Sequence, residues 1–180
     1  MILRRATVDD AAMLEEWRTR AHVLAAFGTE EPPNWREELS IDEDWHDPVI
    51  AEIDGRPIGY MEIIDPAREA THYWGEIEPN LRAIDIFIAD KSDLRKGYGR
   101  RMMALALARC FGSSRVTAVI IDPLASNRKA IRFYERLGFQ HLGNRFFGND
   151  DNDENECAVM RLDRSAWERS QAYDLTRVQT

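Results

Sequence analysis

The sequence contains few cysteines, no long apolar run and a deficit of positive charge, and each shortage excludes a class of protein. The two cysteines, Cys110 and Cys157, are too few for a disulfide framework or a zinc cluster. No apolar stretch reaches the 18 or so residues of a membrane-spanning helix. The first ten residues, MILRRATVDD, lack the apolar run of a signal peptide. We therefore expect a cytoplasmic protein.

Acidic residues outnumber basic ones by 32 to 24, which gives a net charge of −8. Proteins that bind nucleic acid or anionic membranes need a broad basic face, so we expect neither partner. The charge favours a cationic small molecule instead. We also predict no metal, because the four histidines (His22, His46, His72, His141) show no ligand spacing and the acidic run lacks the glycine of a calcium loop.

Strand and helix signals alternate along the chain and predict one α/β domain over residues 1–180. Thr7 and Asp10 have the spacing of a capping box before an amphipathic helix. Asp54 and Gly55 separate two apolar runs and predict a β-hairpin. The segment NRKAIRFYERLGF predicts a helix that ends at Gly138. There are no repeats and no linker.

The densest basic cluster of this acidic chain is SDLRKGYGRRM, residues 92–102, at the start of a predicted helix. Amides at a helix N-terminus have no internal partners, and glycine lets a phosphate approach them closely. The segment is neither a Walker loop nor a dinucleotide fingerprint, whose further residues are missing. A pyrophosphate site and a capped helix with a basic first turn both remain open on glycine spacing alone.

LRKGYGRRMMALAL followed by DPLASNRKAIRFYERLGF resembles the GNAT superfamily of acetyl-coenzyme A-dependent N-acetyltransferases. The resemblance implies a mixed, mostly antiparallel sheet with a splayed centre, flanked by helices. It also implies acetyl-CoA as co-substrate. One departure is Leu94, where the family usually has Arg or Gln. By the resemblance, the residues that bind acetyl-CoA are Ile86, Phe87, Ile88, Arg95, Lys96, Gly97, Tyr98, Gly99, Arg100, Arg101, Asn127 and Tyr134.

Within the superfamily, YWGEIEPNLRAIDIFIADKSDLRKGYG and IIDPLASNRKAIRFYERLGF are similar to the aminoglycoside 6′-N-acetyltransferases, which confer antibiotic resistance. A sister group that acylates hydroxylysine-type amines in siderophore synthesis carries His where this chain has Asp85. The resemblance implies that Asp85 and Asp122 hold or deprotonate the acceptor amine. It implies that Tyr134 protonates the departing thiolate.

Asp85 lies in the middle of the predicted strand AIDIFIA, and strand alternation places Asp85, Phe87 and Ala89 on one face. We expect this to be a buried face, where a carboxylate needs a partner. Direct abstraction of a proton from the amine by Asp85 is unfavourable. The reference pKa is about 3.9 for an aspartate and about 10.4 for a primary amine, a difference that makes the transfer uphill by roughly 9 kcal/mol. We therefore prefer Asp85 as an anchor that accepts the proton through water. A structural aspartate in a hydrogen-bond network is the alternative.

Tyr134 follows Asn127 by seven residues, so the two share a helix face. The alternatives to a role at the cofactor are that Tyr134 is a packed core tyrosine and that Asn127 is only a helix N-cap.

Aromatic and acidic side chains are the candidates for the acceptor site. Trp35 and Trp45 are further aromatics in or beside predicted loops. The alternative for the aromatic residues is core packing. The alternative for the acidic run at 150–156 is a solvated hairpin tip. The predicted acceptor residues are Phe27, Tyr73, Trp74, Glu76, Asp85, Asp122, Asp153 and Glu154.

Two other functions stay open from the sequence. One is a siderophore-type hydroxylysine or other amine or protein N-acyltransferase, and the other is a non-catalytic acyl-CoA-binding domain. Asp85, Asp122 and Tyr134 together favour an enzyme.

Overall fold

The computed structural model describes residues 1–28, 31–146 and 155–177, which form seven strands and six α-helices around one sheet. Short 3-10 turns at Val8–Asp10 and Lys91–Asp93 precede α1 and α4. The strands are β1 Ile2–Arg5, β2 His46–Ile53, β3 Arg56–Ile64, β4 Leu81–Ile88, β5 Ala118–Ile121, β6 Gln140–Phe146 and β7 Glu156–Asp163. The helices are α1 Ala11–Arg18, α2 Ala21–Phe27, α3 Trp35–Glu38, α4 Tyr98–Phe111, α5 Arg128–Glu135 and α6 Arg164–Arg177.

The strand order is β1-β2-β3-β4-β5-β7-β6, and every neighbouring pair is antiparallel except β4 and β5. The parallel pair is short, because Leu81–Ala83 bonds to Ala118–Ile120 and the register ends there. From Ile84 to Ile88, β4 continues without β5 beside it, so the sheet splays at its centre. The predicted mixed sheet with a splayed centre is confirmed.

Local sequence signals place the elements as expected. Asp54 and Gly55 both have positive φ, 52° and 77°, which is the geometry of a tight hairpin turn between β2 and β3. The capping box of Thr7 and Asp10 forms before α1. Gly138 has φ of 95° just beyond α5, a conformation that disfavours side chains with a Cβ.

The sheet separates two apolar clusters, and alternation along β4 divides its residues between them. Ile84, Ile86 and Ile88 pack with α4 and α5, whereas Phe87 packs with α1 to α3. Asp85 therefore lies on the Phe87 face, as predicted. Among the described residues, no helix is long and apolar enough to cross a membrane.

Candidate active site

A cleft of about 490 Å³ opens on the face of the sheet that carries Asp85. Its walls come from α2, α3, β3, β4, the segment after β3, the end of β5 and the start of α5. None of the described residues that line it is a lysine, an arginine or a histidine. Five carboxylates line the cleft: Glu38, Glu62, Glu69, Asp85 and Asp122. The cleft is therefore strongly acidic.

Asp85 projects into this cleft from the middle of β4, directly opposite Glu62 of β3. The expectation of a buried carboxylate was wrong, because Asp85 is exposed. The reason is the sheet splay, which opens the face that a continuous sheet and its helices would cover. Solvent reaches Asp85, so a water molecule can lie between its carboxylate and an acceptor amine.

Asp122 follows β5 and accepts a hydrogen bond of 2.7 Å from the hydroxyl of Tyr73. Burial raises the pKa of Asp122 to about 6, although the bond from Tyr73 opposes the rise. Glu69 orders the segment that carries Tyr73, because its carboxylate accepts the amides of Thr71 at 2.7 Å and Tyr73 at 3.1 Å.

Tyr134 lies on α5 and is 8% exposed, with its side chain on the cleft wall. Burial raises the pKa of its hydroxyl well above the usual value, and the charges of Asp85 and Asp122 raise it further. The hydroxyl therefore keeps its proton at neutral pH and is suited to donate it. Asn127 also lines the cleft and caps α5, because its side-chain oxygen accepts the amide of Ala130 at 3.1 Å.

The basic glycine segment forms an open cradle at the start of α4. Gly97 is the N-cap with φ of 81°, and a Cβ there would meet no atom within 4 Å. The first helical bond runs from the Arg101 amide to the Gly97 carbonyl. The amides before Arg101 thus lack intrahelical partners and can receive an anion. Arg95, with φ of 63°, and Arg100 are exposed beside them.

Lys96 has a role that the sequence did not indicate. Its ammonium lies 3.0 Å from the buried carboxylate of Asp93, which also accepts a 2.8 Å hydrogen bond from Arg56. Lys96 therefore fixes the segment before α4. The open cradle fits a pyrophosphate group through its amides and arginines.

The unpaired stretch of β4 lies between this cradle and the cleft. Ile86 and Ile88 are half-buried there. Phe87 packs edge-on against Trp17 and Phe27 in the apolar cluster on the other face, so only its backbone remains available to a ligand. Gly99 lies over the same region, since a Cβ there would contact Ile88 and Phe133 at 3.6 Å.

The structure brings most of the predicted acceptor residues together. Phe27, Tyr73, Trp74, Asp85 and Asp122 all line the cleft. Glu76 does not, because it is exposed and lies outside the residues that line the cleft.

The remaining two acceptor predictions, Asp153 and Glu154, lie outside the described residues. The next residue, Asn155, lies beside Gly28 at the end of α2, since a Cβ added at Gly28 would clash with its side chain. Phe27, a cleft residue, precedes Gly28.

Of the two tryptophans considered as further walls, Trp45 lines the cleft. Trp35 is a core residue, 4% exposed and packed on Tyr60 at a ring-centroid distance of 5.1 Å.

Sequence reasoning missed a second acidic group in the cleft, formed by Glu38, Glu62 and the buried His46. The Nε2 atom of His46 lies 2.6 Å from Glu62 and 3.1 Å from Glu38. Glu62 could have been found, because it is a lone acidic residue in the apolar strand sequence GYMEII. The pairing with His46 could not, because no spacing rule links these three positions.

Comparison with known proteins agrees with this geometry. The sequence profile of the GNAT acetyltransferase domain matches residues 6–147. The aminoglycoside N(6′)-acetyltransferase type 1 of Klebsiella pneumoniae is 33% identical over 149 residues, which cover 78% of this chain and 74% of that protein. The lysine N-acyltransferase MbtK of Mycolicibacterium paratuberculosis is 29% identical and covers 93% of this chain and 75% of its own.

Among solved structures, the aminoglycoside acetyltransferase AAC(6′)-Ib in complex with coenzyme A and kanamycin superposes with a TM-score of 0.81 at 30% identity. The match covers 94% of this chain and 98% of that one. The family profile spans most of the chain and the aligned relatives share its fold, so the protein belongs to the GNAT family of acetyltransferases, as the sequence motifs predicted.

Proposed function

We propose that the protein transfers the acetyl group of acetyl-CoA to the 6′-amine of aminoglycosides. The observation that carries this proposal is the cleft itself, which has five carboxylates and no lysine or arginine among its described lining residues. Such a cleft attracts a polycation. The similarity to aminoglycoside N(6′)-acetyltransferases selects the class of polycation.

Acetyl-CoA would be held along one continuous surface. Its pyrophosphate would lie on the amides from Gly97 to Arg100, where α4 begins. The edge of β4 at Ile84 and Ile86, which β5 leaves uncovered, would accept the pantetheine, whose amides can pair with backbone groups. The carbonyl of Ile88 is already bonded to His22 at 2.9 Å. The thioester would then lie between Asp85 and Tyr134, where the two surfaces meet.

The acceptor amine must lose its proton before it attacks the thioester carbonyl. Asp85 would anchor the ammonium group, and water beside its exposed carboxylate would carry the proton away. The amine nitrogen then forms the new bond to the carbonyl carbon and the carbon–sulfur bond breaks. Tyr134 would give its proton to the departing thiolate, because burial keeps the hydroxyl protonated.

Aromatic walls complete the acceptor site. Tyr73 is 44% exposed and is held by Asp122, and Trp74 packs beside it at a ring-centroid distance of 5.7 Å. Rings of this kind stack on sugars and on cations. Asp122 would bind a further ammonium group of the same acceptor.

The test is thiol release from acetyl-CoA with three acceptors: kanamycin A, its analogue with a 6′-hydroxyl, and N6-hydroxylysine. Kanamycin A should be acetylated and the 6′-hydroxyl analogue should not, because the reacting nitrogen is missing. Equal turnover of the two would refute the 6′ assignment. Faster turnover of hydroxylysine would favour the siderophore-type function.

A cytoplasmic location and a role in antibiotic resistance extend the same proposal. Expression of the gene in a sensitive bacterium should raise the inhibitory concentration of kanamycin A, whereas the Asp85→Asn variant should not. An unchanged inhibitory concentration with active enzyme in the cell extract would refute the resistance role.

A further inference from the structure

Glu38, His46 and Glu62 form a hydrogen-bonded cluster, here called the Glu–His–Glu cluster, at the rear wall of the acceptor cleft. His46 is 1% exposed, and its Nε2 atom faces one oxygen of each carboxylate. Its Nδ1 atom has no hydrogen-bond partner among the described residues. Both carboxylates reach the cleft, with 27% of the Glu38 side chain and 22% of the Glu62 side chain exposed.

Glu62 and Asp85 lie directly opposite each other on β3 and β4 and both enter the cleft. Their Cβ atoms are therefore about 5 Å apart, a spacing at which like charges destabilise a sheet. A protonated His46 compensates one negative charge from behind. On the cleft side, the described lining residues include no lysine or arginine.

A divalent cation is one possible compensating group, because the three donor atoms lie within 4.8 Å of one another. The separations argue against it. Ligand atoms at about 2.1 Å from a tetrahedral metal would lie about 3.4 Å apart. The nitrogen of His46 is only 2.6 Å from the oxygen of Glu62, which is a charge-assisted hydrogen bond.

We propose that Glu62 and Asp85, which are opposite each other and both line the cleft, form a paired-carboxylate subsite that binds two amines of one acceptor. Asp85 binds the reacting amine and Glu62 binds a second ammonium group on the same ring. The proposal rests on the aminoglycoside function and adds to it a preference for amino sugars with a second amine on the reacting ring. His46 and Glu38 are positioning residues, because the His46 imidazole bonds to Glu62 at 2.6 Å and to Glu38 at 3.1 Å and so holds the Glu62 carboxylate at the cleft wall.

The matched acceptors are kanamycin A and kanamycin B, which differ only in a hydroxyl or an amine at the 2′ position of the ring that carries the 6′-amine. The wild-type enzyme should have a kcat/KM about tenfold higher for kanamycin B, as one additional charged hydrogen bond would give. Glu62→Gln keeps the shape and removes the charge, so the ratio should fall to about one. The control is Glu76→Gln, outside the cleft, which should keep the wild-type ratio.

His46→Gln tests positioning, because it should raise the KM for kanamycin B more than it lowers kcat. The variant should be less stable to urea than the wild type at pH 6, where the protonated imidazole stabilises the fold, so its kinetics are compared without denaturant after circular dichroism has shown that it is folded. Acetylation of both kanamycins with a ratio unaffected by Glu62→Gln would overturn the subsite and leave the proposed function standing. Acetylation of neither kanamycin would overturn both the subsite and the proposed function. A preference lost in EDTA and restored by Zn²⁺ or Mn²⁺ would assign the cluster to a metal and also overturn the subsite.

Discussion

The hydroxyl of Tyr73 donates a 2.7 Å hydrogen bond to Asp122, and this bond ties the segment after β3 to the end of β5. The two residues lie on opposite sides of the splay. Both residues line the acceptor cleft, so the bond ties two of its walls together. Burial, which the bond only partly offsets, raises the pKa of Asp122 to about 6, so the charge of its carboxylate depends on pH near neutrality.

Acceptor binding should weaken as pH falls through 6. Burial raises the pKa of Asp122 to about 6, so the carboxylate is charged above this pH and neutral below it. The ionised fraction falls from about 0.97 at pH 7.5 to about 0.24 at pH 5.5, so KM for kanamycin A should rise about fourfold. Steady-state kinetics across this range test it. Asp122→Asn should raise KM at pH 7.5 and remove this contribution, and an equally steep profile in that variant would contradict the assignment.

Asp85→Asn should lower kcat by about 10²-fold or more, in the range of a positioned proton-transfer group. Acetyl-CoA affinity should not change, because the cradle at α4 is intact. Kinetics with kanamycin A and calorimetric binding of acetyl-CoA measure the two effects. Asp54→Asn is the matched control, since this hairpin residue with φ of 52° tolerates asparagine. A wild-type kcat in Asp85→Asn would make Asp85 a purely structural residue.

Tyr134→Phe should lower kcat by about tenfold, a smaller loss, because water can also protonate a thiolate. The phenylalanine keeps the apolar packing of Tyr134 against Phe133 and Phe139, so stability should be retained. A stopped-flow measurement of thiol release isolates the step. A loss that appears only in the KM for the acceptor would instead assign Tyr134 to binding.

Substitution of Gly97 should weaken acetyl-CoA binding specifically. Gly97→Asn tolerates the positive φ of 81° and fills the open space above the cradle, so KM for acetyl-CoA should rise about tenfold with the fold preserved. Gly97→Val should be worse, because a branched side chain is also strained there. Gly55→Asn, at the β2–β3 turn, is the control for the backbone change. An unchanged cofactor KM in folded Gly97→Asn would exclude this site.

Stability should fall at alkaline pH through His46. Burial lowers the pKa of His46, but the bonds and charges of Glu38 and Glu62 outweigh burial and raise it to about 9. Because the pKa of His46 is higher in the folded than in the unfolded protein, its protonation stabilises the fold. The stabilisation is fully present below about pH 6.5 and is lost as pH rises through 9. The loss is at most about 3 kcal/mol.

Urea unfolding of the wild type and of His46→Gln at pH 6, 8 and 10 measures this contribution. The free-energy difference between the two proteins should shrink as pH rises. A difference that stays constant would show that His46 is neutral in the folded protein.

Much of this architecture follows from short-range chemistry that a sequence displays. The Asp54-Gly55 turn needs only its own two residues, and the α4 cradle needs only its glycines and the free amides of a helix start. These features depend on contacts within a few residues, so local rules are sufficient. The family motifs then indicate how the elements pair.

The exposure of Asp85 and the Glu–His–Glu cluster could not be predicted in the same way. Exposure of Asp85 depends on where β4 and β5 part, which is a property of two strands about thirty residues apart. The cluster depends on the register of β2 with β3, and on α3 folding over both. Strand alternation assigns a residue to a face, but it does not determine what lies above that face.

The short pairing of β4 with β5 has a consequence for hydrogen exchange. Backbone amides from Ile84 to Ile88 that point toward β5 have no ladder partner on that side, and such amides exchange rapidly with solvent. A bound pantetheine chain would supply the missing partner and act as a partial eighth strand. Occupancy of the co-substrate should therefore be visible as slowed deuterium uptake in this segment, while the amides of Leu81–Ala83 remain protected throughout.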